Sequence, residues 1–415
     1  MSQVHLPVVG QRRDTHVSAE LPRRAPDLAR LRDEARALAA QIRPSLAPPE
    51  PRVRQARRVA ASLGTAARGY VQNRRRARAG REDFLPLYFI WTTHRACNFL
   101  CTYCDDHRGA KYPELPKEGT LDTAGGRRLL EVMRTRASSV YFAGGEPTLR
   151  KDLPELAAHA RALDYHPIVI NTNASAFDRL FKLPSWRTFL TDIDTIVVSL
   201  DGLDLEWLAQ TWVTKRPEDV IRNLLLLREL ADEYRVKLMV NCVIQPGQIA
   251  HARAVLDFAR DIGVWFTPVP MNVAAQVSAG LLDDPEYRAL AELILERKRQ
   301  GQRITGSLRM NERLLFSAPL ECRNTLKPHV DYDGALYWPC KASAAVEPVR
   351  VPVLAHDHVD ALWADCTARI DPTGFASRCG GRCNWAQNYS TDAYAHGLTH
   401  PLSLLGEVAG FLGRA

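Results

Sequence analysis

The sequence predicts an α/β protein centred on an incomplete (β/α)6 barrel, with a basic helical extension before it and a small Cys-rich region after it. Three observations predict this. Between residues 86 and 268, short apolar, β-branched runs alternate with longer amphipathic segments. Residues 1–81 hold 18 basic and 6 acidic side chains, whereas the rest of the chain holds 37 and 41. Three of the nine cysteines fall within residues 97–104, and five more lie beyond residue 320.

Composition narrows the classes. A chain of 415 residues can bury a large core and carry more than one unit. No apolar run reaches the roughly 18–20 residues that span a bilayer. No short apolar leader precedes a small-residue cleavage site. The expectation is a cytoplasmic chain, touching a membrane only peripherally if at all, whose thiols stay reduced. Its cysteines then read as metal ligands or buried thiols, not as a disulfide framework.

The elements follow in order. Residues 1–20 show no period and are expected to be mobile. Leu28, Leu31, Ala35, Leu38 and Ile42 mark one face of a helix, which the proline-rich run at 44–51 ends. A second helix has Val53, Ala56, Val59, Leu63, Ala67 and Tyr70 on one side and eight arginines elsewhere. Candidate strands lie at 86–91, 139–142, 167–171, 195–200, 236–243 and 264–268. Candidate helices lie at 122–136, 152–163, 175–182, 217–234, 248–261 and 284–299. Such β–α repeats imply parallel strands joined by right-handed crossovers, and six units make a partial barrel. The expected divisions are 1–82 (extension), 83–304 (barrel), 305–395 (Cys-rich region) and 396–415, with a short apolar helix at 401–412.

The first strand runs into Cys97-Asn98-Phe99-Leu100-Cys101-Thr102-Tyr103-Cys104. Three thiolates on one loop can wrap a single iron–sulfur cluster. Such clusters ordinarily take four thiolates, so one iron is left open to another ligand. This C-x3-C-x2-C pattern, with an aromatic before its last cysteine, resembles the signature of the radical S-adenosylmethionine (SAM) superfamily. The resemblance implies a partial TIM-like barrel and a [4Fe–4S] cluster on Cys97, Cys101 and Cys104, with SAM chelating the fourth iron. It also implies one-electron cleavage of SAM to a 5′-deoxyadenosyl radical that abstracts a substrate hydrogen, with an electron donor such as flavodoxin or ferredoxin. The second strand ends in Gly144-Gly145-Glu146-Pro147, which the resemblance assigns to SAM's amino group. Polar residues ending the third and fourth strands, Asn173, Ser199 and Asp201, become expected SAM contacts, with helix capping and turn formation as the rival roles.

Cys322, Cys340, Cys379 and Cys383 form a second set, with the hairpin signal Asp333-Gly334 between its first two members. This arrangement resembles the twitch module, a shortened relative of the SPASM domain, and implies one auxiliary [4Fe–4S] cluster. Cys366 is either a substitute ligand or a buried thiol, and a zinc site is the rival for the whole set. An electron acceptor there favours dehydrogenation or oxidative bond formation. The substrate stays open among a small molecule, a lipid and a peptide, with a peptide maturase of the SPASM group, or a non-catalytic iron–sulfur or zinc protein, as alternatives. His94, His107 and Tyr337 lie near the motifs without an assignable role.

For the basic arm, residues 1–81, three readings compete: contact with an anionic membrane surface, phosphate binding, and plain packing on the barrel. The arm lacks the interleaved aromatics of a base-stacking surface, which weighs against nucleic acid.

Overall fold

The computed structural model describes residues 25–104, 119–273, 276–320, 322–341, 347–379 and 383–403. The expected mobile segment at 1–20, His107 and most of the expected 401–412 helix lie outside these residues.

Two helices open the described chain. Helix α1 (Leu28–Ile42) starts at Asp27, whose carboxylate accepts from the Arg30 N–H at 3.0 Å. It buries Leu31, Ala35 and Ile42 of the stripe the sequence marks, together with Ala39, while Leu28 and Leu38 are partly buried against the core. Helix α2 (Arg52–Arg78) does the opposite. It buries Arg58, Ser62, Thr65 and Asn73, while Val53, Leu63 and Val71 are exposed.

The reason lies beneath α2. It crosses the segments that lead into the barrel strands, where backbone carbonyls need donors. Ser62 donates its hydroxyl to the carbonyls of His166 at 2.6 Å and Ser138 at 3.2 Å. The Arg58 guanidinium donates to Tyr165 O and pairs with Asp194 and Glu50, all at 3.1 Å. Asn73 exchanges two hydrogen bonds with the Leu85 backbone. An apolar face here would strand those groups at about 1–3 kcal/mol each.

Strands β1 (Tyr88–Thr92), β2 (Ser139–Ala143), β3 (Ile168–Thr172), β4 (Thr195–Ser199), β5 (Lys237–Ile244) and β6 (Trp265–Pro270) are each parallel to the next. They match the expected strands to within two residues at either end. Between them run α3 (Thr123–Arg134), α4 (Leu153–Ala162), the single turns α5 (Phe177–Leu180) and α6 (Phe189–Asp192), α7 (Leu205–Thr211), α8 (Pro217–Tyr234) and α9 (Ile249–Asp261). Both faces of β4 are buried, which is why it reads as an unbroken apolar run. Helix α1 lies along α8, with Arg43 paired to Glu233 at 2.9 Å.

After β6 come a two-residue hairpin, β7 (Asn272–Val273) and β8 (Gln276–Val277), then α10 (Pro285–Arg299) and α11 (Leu308–Leu315). The expected hairpin follows: β9 (His329–Val330) and β10 (Ala335–Trp338) are antiparallel, and β11 (Val349–Pro352) adds to β10. Gly334 takes φ +79° in the turn, where a side chain would be strained. Strand β9 also pairs in parallel with β1, so one nine-stranded sheet runs from β6 to β11. The Cys-rich region thus borrows the barrel's core. It closes with α12 (Val359–Arg369), the turn α13 (Phe375–Arg378) and α14 (Ala386–Thr399).

Candidate active site

Every expected feature of the first motif sits at the C-terminal end of the parallel strands. The segment leaving β1 lies against the end of β2. Gly145 N–H donates to His94 O at 3.0 Å, and Glu146 N–H donates to Ala96 O at 2.8 Å. A Cβ on Gly144 would collide with His94 O, and one on Gly145 with the carbonyls of Arg95 and Ala96. Gly144 also holds φ +145°. The two glycines therefore admit the cysteine loop's own backbone, a closer reason for them than ligand approach.

The loop is tied down at its far side too. Leu100 N–H donates to Trp212 O at 3.0 Å, Thr102 N–H donates to Thr211 O at 2.9 Å, and Phe99 stacks on Trp212 with ring centroids 5.6 Å apart. The Tyr103 hydroxyl donates to the Asp201 carboxylate. Trp212 Nε1 and Val243 N also donate to that carboxylate, each at 2.8 Å. Burial pushes Asp201 above the usual carboxylate range, and the three donors pull it back.

A cavity of about 240 Å³ opens between these anchors. It is lined by Cys97, Cys101 and Cys104, by Gly144, Gly145 and Glu146, by Asn171, Thr172, Asn173 and Ser199, and by Phe99, Tyr103 and Trp212. Pro147 and Asp201 are absent from that lining. Pro147 opens a buried 3-10 turn, and Asp201 braces the loop from behind. Glu146 lines the cavity, but its buried carboxylate accepts from Thr148 (N and Oγ1), Thr172 Oγ1 and Asn173 N at 2.6–3.0 Å. Asn171 Oδ1 is buried there with no hydrogen-bond partner among the described residues.

The thiols suit a metal centre more than free chemistry. Burial pushes Cys97 up to about 11 and Cys101 further, and the other thiols add to it. Such thiols stay protonated near neutral pH unless a metal displaces the proton. The cavity thus offers three neighbouring thiols and an unsatisfied acceptor, which fits a three-thiolate cluster with a polar chelating partner.

The second set is assembled from four segments. Cys322 precedes the turn at Asn324–Leu326, Cys340 follows β10, Cys379 follows α13 and Cys383 precedes α14. Cys322 is in electrostatic contact with Cys340 and Cys383, and Cys383 with Cys379. Burial raises Cys322 to about 12. Around the thiols, Lys327 Nζ, Asn324 Oδ1, Asn388 Oδ1 and both polar atoms of the Asn384 side chain are buried without a hydrogen-bond partner among the described residues. Asn388 Nδ2 donates to Cys383 Sγ at 2.8 Å. Buried polar groups so concentrated fit an anionic, acceptor-rich group. Among the described residues, no three His, Cys, Asp or Glu side chains converge on a site for one metal ion. A cluster binds each thiolate through a different iron and spaces them wider.

Cys366 stands apart. It is buried on α12 within the main core, and its charged neighbours are Asp365 and Arg369. A joint links the two sets. Arg95 pairs with Asp331 in the hairpin turn, and Tyr337 donates to the same carboxylate at 2.7 Å. Trp212, Lys327, Asn388 and the Arg95–Asp331 joint carried no sequence signal, because each depends on a distant partner.

The comparisons agree with this geometry. Residues 91–259 match the family model described as "Radical SAM superfamily". The chain carries a radical SAM domain. Fe-coproporphyrin III synthase of Methanosarcina barkeri is 37% identical over 115 residues, 28% of this chain and 27% of that protein. PqqA peptide cyclase of Xanthomonas campestris pv. campestris is 44% identical over 84 residues, 20% of this chain and 21% of that one. The similarity thus spans about a quarter or less of these curated relatives. Among solved structures, Streptococcus suis SuiB superposes with a TM-score of 0.52 at 20% identity, covering 71% of this chain and 68% of its own. The SAM-bound anSMEcpe superposes with a TM-score of 0.53 at 17% identity, covering 79% and 98%. At those identities the likeness concerns the fold, and it covers more of the chain than residues 91–259.

Proposed function

We propose that the chain is a radical SAM enzyme that oxidises a peptide substrate, by dehydrogenation or oxidative bond formation, with the help of an auxiliary [4Fe–4S] cluster. The observation that carries it is the cavity at the strand ends, where Cys97, Cys101 and Cys104 meet the glycine pair and Asn171. A [4Fe–4S] cluster on the three thiolates, with SAM on its open iron, supplies a 5′-deoxyadenosyl radical when one electron arrives from a donor such as flavodoxin or ferredoxin. In this reading Gly144, Gly145, Asn173 and Ser199, which line the cavity, are the direct SAM contacts, Asn173 while also bonded to Asn98 at 2.9 Å. Glu146, Pro147 and Asp201 act on it by shaping the site: Glu146 orders the β3 end, Pro147 sets the following turn and Asp201 fixes Tyr103.

Cys322, Cys340, Cys379 and Cys383 are the proposed auxiliary ligands. Oxidation follows from an acceptor beside the substrate radical. A peptide is favoured by the 44% identity to PqqA peptide cyclase. The longer match to Fe-coproporphyrin III synthase supports a second reading, a tetrapyrrole side chain. Anaerobic reconstitution with dithionite and SAM tests the core proposal. Formation of 5′-deoxyadenosine and about eight irons per chain are expected, as two four-iron clusters require. Bound iron and sulfide without 5′-deoxyadenosine would refute it.

The arm supports one further reading, contact with an anionic membrane surface. Helix α2 exposes Val53, Leu63 and Val71 amid Arg54, Arg57, Arg68, Arg75 and Arg78. The part of this helix around Ser62 packs on segments that lead into the strands, at the barrel end opposite the cysteine loop. No helix among the described residues is long and apolar enough to cross a membrane. Co-sedimentation with phosphatidylglycerol vesicles should weaken in Leu63→Asp/Val71→Asp. Equal pelleting of the variant removes this reading.

A further inference from the structure

Lys327 is fully buried, and its ammonium group has no hydrogen-bond partner among the described residues. It sits just after the turn that follows Cys322, and Asn324 ties that turn to Pro339 O at 2.8 Å, beside Cys340. Its Nζ lies 5.3 Å from the centroid of the Trp385 ring, two residues beyond Cys383. The ionisable groups it faces among the described residues are Cys322, Cys340 and Cys383, with the buried His329 also within its field. A lysine buried without a carboxylate partner is costly, and it persists where another anion offsets it.

We propose that Lys327 is a positioning residue for the auxiliary cluster, whose fixed positive charge sets that cluster's reduction potential and so its role as electron acceptor. The proposal rests on the auxiliary-cluster reading above. Four thiolates around a [4Fe–4S] core leave the cluster negative, and an added electron makes it more so. A cation held nearby at low dielectric stabilises the reduced form more than the oxidised form. The potential rises accordingly. In the oxidation itself the adenosyl radical removes one hydrogen atom and the substrate radical gives one electron to the cluster. The substrate then loses a proton, and the electron leaves by the external carrier. Trp385 shields the charge from water while its ring face attracts the ammonium.

The test is an EPR-monitored redox titration of the full-length chain carrying Cys97→Ala, Cys101→Ala and Cys104→Ala, where any remaining signal belongs to the auxiliary cluster. Lys327→Met should move the midpoint to a more negative potential, while Lys327→Arg stays near the parent. Loss of the auxiliary irons from Lys327→Met alone would also support a role for the charge. An unchanged midpoint in Lys327→Met, at full iron content, overturns the proposal. So does loss of iron from both variants, which would show a need for the lysine's shape. If the parent itself binds zinc or no iron, the cluster reading fails and this inference with it. That failure shows before any change at Lys327.

Discussion

The two cysteine sets are held in opposite ways. Cys97, Cys101 and Cys104 occupy one eight-residue stretch, pinned by backbone hydrogen bonds to the end of β2 on one side and to residues 211–212 on the other. Cys322, Cys340, Cys379 and Cys383 come from four segments spread over 62 residues, brought together by a hairpin and two helix ends. The first set needs no metal to hold its shape, because strand ends already hold it. The second lies among buried polar atoms that have no hydrogen-bond partner among the described residues, and on the auxiliary-cluster reading its geometry depends on the group proposed to bind there. One site is a preformed socket, and the other is, on the proposed reading, a joint that a cluster would complete.

The sharpest way to break this comparison is to empty each site in turn. Cys97→Ala/Cys101→Ala/Cys104→Ala should abolish 5′-deoxyadenosine formation and remove about four of eight irons, with little change in melting temperature. Cys379→Ala/Cys383→Ala should lose the other four, lower the melting temperature and still form some 5′-deoxyadenosine without product. Iron analysis, calorimetry and chromatography of the nucleoside check both. Equal melting losses in the two variants would erase the distinction.

The next effect is on dynamics. Chelating all iron should raise amide hydrogen exchange most at 322–341 and 383–388, and much less at 97–104, where the anchoring bonds remain. Mass spectrometry of the apo and reconstituted chain measures this. Faster exchange in the first loop than in the second region would reverse the assignment.

The same contrast explains what could be read from the sequence. The barrel strands were legible because a parallel sheet buried on both faces writes itself as apolar runs, as in β4. The first motif was legible because its ligands are local. Helix α12 was missed although Val359, Leu362, Trp363 and Cys366 recur at helical spacing, because the surrounding Pro, Gly and Asp hid a helix only eleven residues long. The inward face of α2 could not be read from its pattern. Its Val53, Leu63 and Val71 are exposed, and the choice was made by carbonyls at Ser138, Tyr165 and His166 that the helix's own sequence does not contain. Lys327 was invisible for the same reason, since it is one lysine among polar neighbours until the fold buries it.

A smaller effect tests how rigid the first socket is. Gly145→Ala places a methyl group against the carbonyls of Arg95 and Ala96, which are backbone atoms and cannot swing aside. Overpacking of this kind costs about 1–3 kcal/mol. The strain falls on the segment that carries Cys97. SAM cleavage should therefore drop by at least tenfold, while the auxiliary cluster keeps its parent midpoint potential. A matching shift in both clusters would mean that the Arg95–Asp331 joint transmits the disturbance.

The smallest effect should come from Tyr103→Phe. The change removes one hydroxyl that donates to Asp201 and leaves the ring in place. Asp201 keeps its bonds from Trp212 Nε1 and Val243 N, both at 2.8 Å, so the carboxylate is not stranded. The net loss is that of one hydrogen bond, with no backbone atom displaced and no buried acceptor left unsatisfied. Other contacts still hold the loop, among them the Leu100 and Thr102 backbone bonds, the Phe99–Trp212 stack, the bonds of Gly145 and Glu146 to His94 and Ala96, and the Asn98 bond to Ser175. Iron content at the first site should stay near the parent value, with SAM cleavage reduced less than in Gly145→Ala. If Tyr103→Phe instead empties the first site of iron, the loop depends on Asp201 far more than its backbone anchors imply. The first set would then be held by a single side-chain tether and not by a preformed socket, and the contrast with the second set would narrow.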